Sequence, residues 1–226
     1  MQTSVMFQNN KPVIAIDGTA GSGKGTLAKK LAEILNYDHL DSGLLYRILA
    51  YEFLHLNKDL EKLIEVDIDL NIYLEKKKLK KINLRSSEIT KISSEIAKLK
   101  LVRHKLISLQ RKFANFPPNG IGSVIDGRDI TSVITPLAEI KFYIDADVKI
   151  RAKRRLLQLD LPKKNYNRVL KELIERDLQD KSRKISPLIQ TKDSHYINTS
   201  KINESEVLAK AISYIKKKQI LFSDCI

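Results

Sequence analysis

The segment Gly18-Thr19-Ala20-Gly21-Ser22-Gly23-Lys24-Gly25-Thr26 has the residue types and spacing to hold phosphate. An apolar β-branched run, Val13–Ile16, stops at this glycine-rich turn, and a helical pattern (Leu27, Leu31, Ile34, Leu35) begins beyond it. Glycines let backbone N–H groups converge on an anion without Cβ obstruction, and a helix N-terminus adds positive potential at the same spot. Lys24 then reaches the β- and γ-phosphates as a mobile point charge. The arrangement implies a bound nucleoside triphosphate.

Gly18 and Gly23-Lys24 keep the P-loop spacing G-x-x-x-x-G-K, but Gly25 stands where the general motif has Ser or Thr, and Thr26 follows one place later. Two readings of Thr26 follow. Its hydroxyl faces Mg²⁺, or it caps the first helical turn while phosphates and water hold the metal.

A P-loop does not say what happens to the phosphate, so the other polar clusters must. Asp41-Ser42-Gly43-Leu44-Leu45-Tyr46-Arg47 closes one strand and opens a helix, which reads either as a plain N-cap with a surface arginine or as an anion site. Val124-Ile125-Asp126-Gly127-Arg128-Asp129 empties a buried strand into two carboxylates and a guanidinium. That is a salt-bridge knot, or Asp126 facing a Mg²⁺ shell with Arg128 forking onto a phosphate. Arg151, Arg154 and Arg155 precede a break at Asp160–Tyr166, and Glu175-Arg176-Asp177, Asp180 and Arg183 follow it. Arg176, Asp180 and Arg183 stand at i, i+4 and i+7, one helical face, so these charges form either a solvated surface or a lid that clamps phosphates.

Positioning these groups requires an α/β frame. Short β-branched runs at Val13–Ile16, Asp38–Leu40, Gly122–Ile125, Ile140–Ile144 and His195–Ile197 alternate with amphipathic patterns near 24–35, 43–56, 101–113, 147–159, 165–182 and 203–219. This predicts a five-stranded, mainly parallel sheet with helices on both faces, of the P-loop NTPase type. A core over 11–56 and 100–220 is expected, with an inserted subdomain over about 57–99 and a short lid over about 157–167. The insert is expected to hold a hairpin, Leu70–Leu74 with Lys80–Leu84, then a helix from Ser87 to about Lys98. Residues 1–10 and 221–226 read as frayed tails.

Composition bounds the remaining choices. With 226 residues, 42% hydrophobic and 30% charged, the chain can bury a proper core. Its net charge of +14 favours acidic partners, yet Lys76–Lys78 and Lys216–Lys218 lack the interleaved aromatics that nucleic-acid stacking needs, so no nucleic acid is expected. Cys225 is the single cysteine, which excludes an internal disulfide. Neither an export signal nor an apolar run of membrane-spanning length is legible, so a cytoplasmic protein, a monomer by default, is expected.

Taken together, the segments resemble the bacterial cytidylate kinases, members of the nucleoside-monophosphate kinases, over about residues 12–215. The resemblance rests on Ile16-Asp17-Gly18 through Lys24-Gly25-Thr26-Leu27, Leu40–Gly43 with Tyr46-Arg47, Ile125–Asp129, Glu175–Asp177 with Asp180 and Arg183, and the turn Ser186-Pro187-Leu188. Gly-Lys-Gly-Thr is the usual loop in these kinases. Adenylate kinases share it but commonly place Gln where Leu27 stands, and Ser-Thr-Gly-Asp-x-x-Arg where this chain has Asp41–Arg47. Gln179 and Lys181 depart from the family, which often has Arg or Asp there, and the insert is shorter and richer in lysine.

The resemblance implies transfer of the γ-phosphoryl group of ATP to CMP or dCMP with Mg²⁺. It implies that Gly18, Thr19, Ala20, Gly21, Ser22, Gly23, Lys24, Gly25 and Thr26 hold ATP, with Arg154 and Arg155 as lid arginines on its phosphates. It places cytosine against Ser94, Arg103 and Asp129, the acceptor phosphate on Arg47, Arg128 and Arg183, and the sugar near Arg176 and Asp180, with Ser42 shaping the pocket. Lys24, Arg128, Arg176 and Arg183 are the implied catalytic cations, and Thr26 or Asp126 would meet the metal, directly or through water.

Overall fold

A computed structural model describes residues 11–57, 59–65 and 83–218. The chain divides into two compact units, Met1–Leu40 with Gln110–Ile226, and Asp41–Leu109. The expected tails lie outside the described residues, as does the expected hairpin except for Asn83 and Leu84 at a turn.

The first unit is built on a sheet of order β2-β3-β1-β4-β5, formed by β1 (Val13–Gly18), β2 (Asp38–Asp41), β3 (Ser123–Gly127), β4 (Ile140–Asp145) and β5 (His195–Asn198). β1 runs parallel to β3 on one side, with Asp17 opposite Gly127, and parallel to β4 on the other, with Gly18 opposite Ile144. β4 and β5 are also parallel. Every residue of β1 and β3 is buried, as expected for strands covered on both faces. On one face α1 (Lys24–Leu35) buries Leu27, Ala28, Leu31, Ala32 and Leu35 against Ile14, Ile16, Val124 and Phe142. Its end is set by Asn36, whose left-handed backbone (φ 52°) closes the helix.

The second unit contains α2 (Ser42–His55), α3 (Leu60–Glu65), α4 (Ser87–Ile96) and the start of α5 (Lys100–Asn115). Asp41 caps α2, its carboxylate accepting from the Leu44 N–H at 3.1 Å, and Ser86 caps α4 through the Ile89 N–H at 3.2 Å. The sequence-expected insert, 57–99, lies within this unit, which begins earlier, at Asp41.

Back in the first unit, α6 (Val148–Gln158) and α7 (Tyr166–Ser182) form a helical hairpin. Asp147 caps α6, and the connection turns through Asp160, a non-glycine residue at φ 51°, and a single 3₁₀ turn at Lys163–Asn165. Ala152 and Leu156 of α6 pack with Val169 and Leu173 of α7, and Ala20 of the glycine-rich loop joins the same cluster. The last helix, α8 (Glu204–Lys217), opens with a reciprocal Asn203–Glu206 capping box. Among the described residues no helix is long and apolar enough to cross a membrane.

Candidate active site

The glycine-rich loop leaves β1 at its C-terminal end, where ligands sit in such sheets. Gly23 stands at the N-terminus of α1 with φ 96°, a left-handed conformation that costs a residue with a Cβ about 1–2 kcal/mol. Lys24 is the first residue of α1. Thr26 does not cap the helix: the N-cap is Gly23, with no side-chain cap hydrogen bond, and Thr26 lies exposed inside the first turn. The capping reading of Thr26 is therefore corrected.

The ends of the neighbouring strands press carboxylates against this loop. Thr19 Oγ1 donates to Asp145 Oδ1 at 2.6 Å, at the end of β4. Asp126, at the end of β3, pairs through Oδ1 with His39 Nε2 at 2.8 Å, while its Oδ2 faces Gly25, 3.6 Å from where a Cβ would stand. Mg²⁺ characteristically takes one or two carboxylates and completes its shell with substrate phosphates and water. Asp126, whose Oδ2 faces Gly25, suits that demand. Among the described residues there is no cluster of three or more His, Cys, Asp or Glu side chains to form an all-protein metal cage.

Beside the loop, the Asp126–Asp129 segment and α7 bring their charges together. Arg128 Nε donates to Asp180 Oδ2 at 2.8 Å. Arg183 stands within 3.7 Å of both Asp180 Oδ1 and Asp129 Oδ1, and its Nε donates to the Ser186 carbonyl at 2.5 Å. Arg183 is the C-cap of α7 and meets Asp180 three residues earlier, in keeping with the face read from its spacing. α7 ends at Ser182, and Arg183 keeps a helical φ (−61°) while its ψ (139°) turns the following chain away. Burial alone would push the Asp180 carboxyl up, but Arg128, Arg176 and Arg183 outweigh it and hold it below the usual carboxylate range. The result is a largely buried set of guanidiniums held by aspartates.

In the second unit, Arg47 Nη2 donates to Asp41 Oδ2 at 2.9 Å, and Arg85 approaches the same oxygen at 3.6 Å. Asp41 thus serves as cap and as arginine anchor; the N-cap reading of its segment holds, but Arg47 is buried and not a surface arginine. Ser42 is buried at the start of α2. Ser94 Oγ donates to the Thr90 carbonyl within α4, and the buried Arg103 donates to the Ala97 carbonyl at 3.2 Å with its guanidinium 5.9 Å from the Tyr46 ring centroid.

Arg154 and Arg155, for which the resemblance implies a lid role, both have protein partners. Arg154 directs its guanidinium onto Thr199, and Arg155 pairs with Gln158 at 2.9 Å. The sequence reading did not single out Arg85, His39, Asp145 or Thr199. It also missed Asp17, although a carboxylate inside an otherwise apolar strand was a visible signal. Asp17 is fully buried and accepts from the Ile130 N–H (2.9 Å), the Thr131 N–H (2.8 Å) and the Thr131 hydroxyl (2.6 Å), pinning the single π-helical turn Ile130–Ile134 to β1.

Burial, aided by the charge of Asp129 and opposed by these hydrogen bonds, lifts the Asp17 pKa from 3.8 to about 6. The folded state therefore binds this proton more tightly than the unfolded chain. The stability it contributes is full below pH about 4 and is lost as pH rises through about 6, a change on the order of 3 kcal/mol. Urea unfolding of the wild type and Asp17→Asn between pH 4 and 7 checks this. The wild-type profile should fall relative to the variant across that window, and parallel profiles would show that Asp17 does not titrate there.

A parallel sheet of this order, with a glycine-rich loop between β1 and α1 and buried arginines at the neighbouring strand ends, defines a P-loop phosphotransferase. A solved uncharacterized protein from Eubacterium ventriosum ATCC 27560 shares the fold, with a TM-score of 0.53 at 19% identity, covering 91% of this chain and 99% of that one. Residues 14–217 match the cytidylate kinase family. The cytidylate kinase of Klebsiella pneumoniae (strain 342) is 36% identical over 225 residues, covering 92% of this chain and 97% of its own length. That of Paramagnetospirillum magneticum (strain ATCC 700264 / AMB-1) is 37% identical over 213 residues, covering 92% and 99%. The chain belongs to the cytidylate kinase family, enzymes that transfer the γ-phosphoryl group of ATP to CMP or dCMP.

Proposed function

We propose that this chain phosphorylates CMP and dCMP with the residues described above, in the cytoplasm and as a monomer. The observation that carries the residue assignment is the glycine-rich loop with Lys24 lying in the same unit as the buried Arg128–Asp180–Arg183–Asp129 set. Residues 18–26 and Lys24 take the donor triphosphate, with Arg155 as a further cation on α6. Mg²⁺, when bound, neutralises charge on the β- and γ-phosphates, and Asp126, with Thr26, is the protein group that faces it.

The acceptor phosphate has a second pKa near ~6, so it is already ionised at neutral pH and needs no catalytic base. What remains is to hold two anions in line and offset the charge that builds between them. Lys24, Arg128, Arg176 and Arg183 do this in the first unit, and Arg47, anchored by Asp41, takes acceptor phosphate in the second. Asp180 and Arg176 address the sugar, while Ser42, Ser94 and Arg103 complete acceptor recognition. Asp129 reads the base: a carboxylate accepts from the exocyclic N4 donor of cytosine and is repelled by the O4 acceptor of uracil.

The direct experiment is coupled ADP production with Mg·ATP and CMP, dCMP, UMP and AMP as parallel acceptors. Turnover on CMP and dCMP alone is expected; turnover on AMP or UMP in their place would overturn the base-reading assignment. In the same assay Asp129→Asn is expected to lower the CMP:UMP ratio of kcat/KM by at least about tenfold, since its amide can now donate to O4. An unchanged ratio would remove Asp129 as the base reader.

A further inference from the structure

The loop that takes the donor phosphates is held from behind by α6. A planar trans peptide points its C=O opposite to the N–H of the next residue. Fixing the Ala20 carbonyl therefore aims the Gly21 N–H, and fixing the Ser22 carbonyl aims the Gly23 N–H. Both carbonyls have partners. Arg151, whose side chain is only 5% exposed, donates from Nη1 to the Ala20 carbonyl at 3.1 Å and from Nε to the Ala146 carbonyl at 2.8 Å. Thr199, 2% exposed, donates from Oγ1 to the Ser22 carbonyl at 2.8 Å.

Thr199 is itself fixed on three sides. Arg154 donates to its Oγ1 at 2.9 Å and to its carbonyl at 2.7 Å, and its N–H donates to the Asp145 carbonyl at 2.8 Å. The remaining arm of Arg151 pairs with Asp177 Oδ2 on α7 at 2.6 Å. Asp177 follows Arg176 and precedes Asp180 by one turn, so the helix bearing these acceptor-side groups shares an anchor with the donor loop. The methyl of Ala20, set among Ala152, Leu156, Val169 and Leu173, adds an apolar contact between the same three segments.

We propose that Arg151 directly, and Arg154 through Thr199, are positioning residues that aim the Gly21 and Gly23 N–H groups at the donor phosphates, with Asp177 tying that support to α7. Arg154 then acts through the loop rather than on ATP. This rests on reading residues 18–26 as the donor site.

The test separates the two roles of Arg154. Thr199→Val deletes the hydroxyl that holds the Ser22 carbonyl, while Arg154 itself and its hydrogen bond to the residue-199 carbonyl are kept. In nucleotide-free protein, the ¹⁵N order parameter of the Gly23 amide is expected to fall from about 0.85 to below about 0.7. The KM for ATP should rise about tenfold, with the KM for CMP within about twofold, because the aim of a phosphate-binding donor is lost and not the acceptor site. Arg154→Gln should do the same, Arg151→Gln should loosen the Gly21 amide, and Thr199→Ser should restore wild-type values. An unchanged Gly23 order parameter in Thr199→Val, with ATP binding kept or improved, overturns the proposal and makes Arg154 a direct phosphate ligand. Should Arg151→Gln fail to fold, the Thr199 and Arg154 variants decide alone. The underlying reading fails separately, if Lys24→Ala keeps phosphorylating CMP.

Discussion

Lys24→Ala is expected to lower kcat for CMP phosphorylation by at least about 10³-fold, with the fold intact. Lys24 opens α1 directly after the left-handed Gly23, where the helix dipole and the loop N–H groups already favour anions. Those backbone groups are fixed, whereas the ammonium can follow the γ-phosphoryl group as it moves toward the acceptor. Its interaction strengthens as charge spreads over the transferring oxygens, and only interactions stronger in the transition state raise kcat. The KM for ATP should rise much less. Lys24→Arg should not restore activity, because the wider planar guanidinium cannot replace a compact mobile charge. Steady-state kinetics, calorimetric ATP binding and circular dichroism together check this result. A kcat within about tenfold of wild type would remove Lys24 from the reaction.

Gly18→Ala should cause the largest loss of stability. A Cβ there would lie 2.0 Å from the Ile144 carbonyl oxygen and 2.9 Å from its carbon, both backbone atoms of the adjacent strand. Gly18 and Ile144 are register partners, so relief requires β1 and β4 to separate. Ile16, Phe142 and Ile144, all fully buried, resist that movement. A cost of about 3–5 kcal/mol is expected, out of a total typically near 5–15 kcal/mol, and an apparent Tm lower by about 10 °C or more. Gly25→Ala is the comparison: its Cβ meets only Asp126 Oδ2, at an ordinary 3.6 Å, so the fold should tolerate it. Thermal unfolding of the two variants side by side measures the difference. Equal, small shifts would mean that strand β4 yields at Ile144.

Much of this protein could be read along the chain. Local patterns set the elements: β-branched runs between turn signals became β1, β3, β4 and β5, and periodic apolar residues such as Leu27, Leu31 and Leu35 became α1. The phosphate loop was legible because its chemistry is contiguous, with backbone N–H groups and Lys24 supplied by one short stretch. The family was legible because several such stretches occur in order, and residues 14–217 carry the match.

The partnerships of the charged side chains were not legible, because they join residues far apart in sequence. Nothing near Arg154 announces that it meets Thr199, or that Thr199 meets Ser22, 177 positions away. Spacing put Arg183 on one face with Asp180, and only the tertiary structure shows that from the end of α7 it also reaches Asp129. Asp17 stood just past the apolar run Val13–Ile16, and only the fold shows that burial raises its pKa while hydrogen bonds from Ile130 and Thr131 oppose that rise. The sequence by itself determined which residues form strands, helices and the phosphate loop, since steric and hydrophobic preferences act over a few residues. Only the tertiary structure decided which cations carbonyls and carboxylates already hold, because that depends on the strand order that brings distant segments within hydrogen-bonding distance.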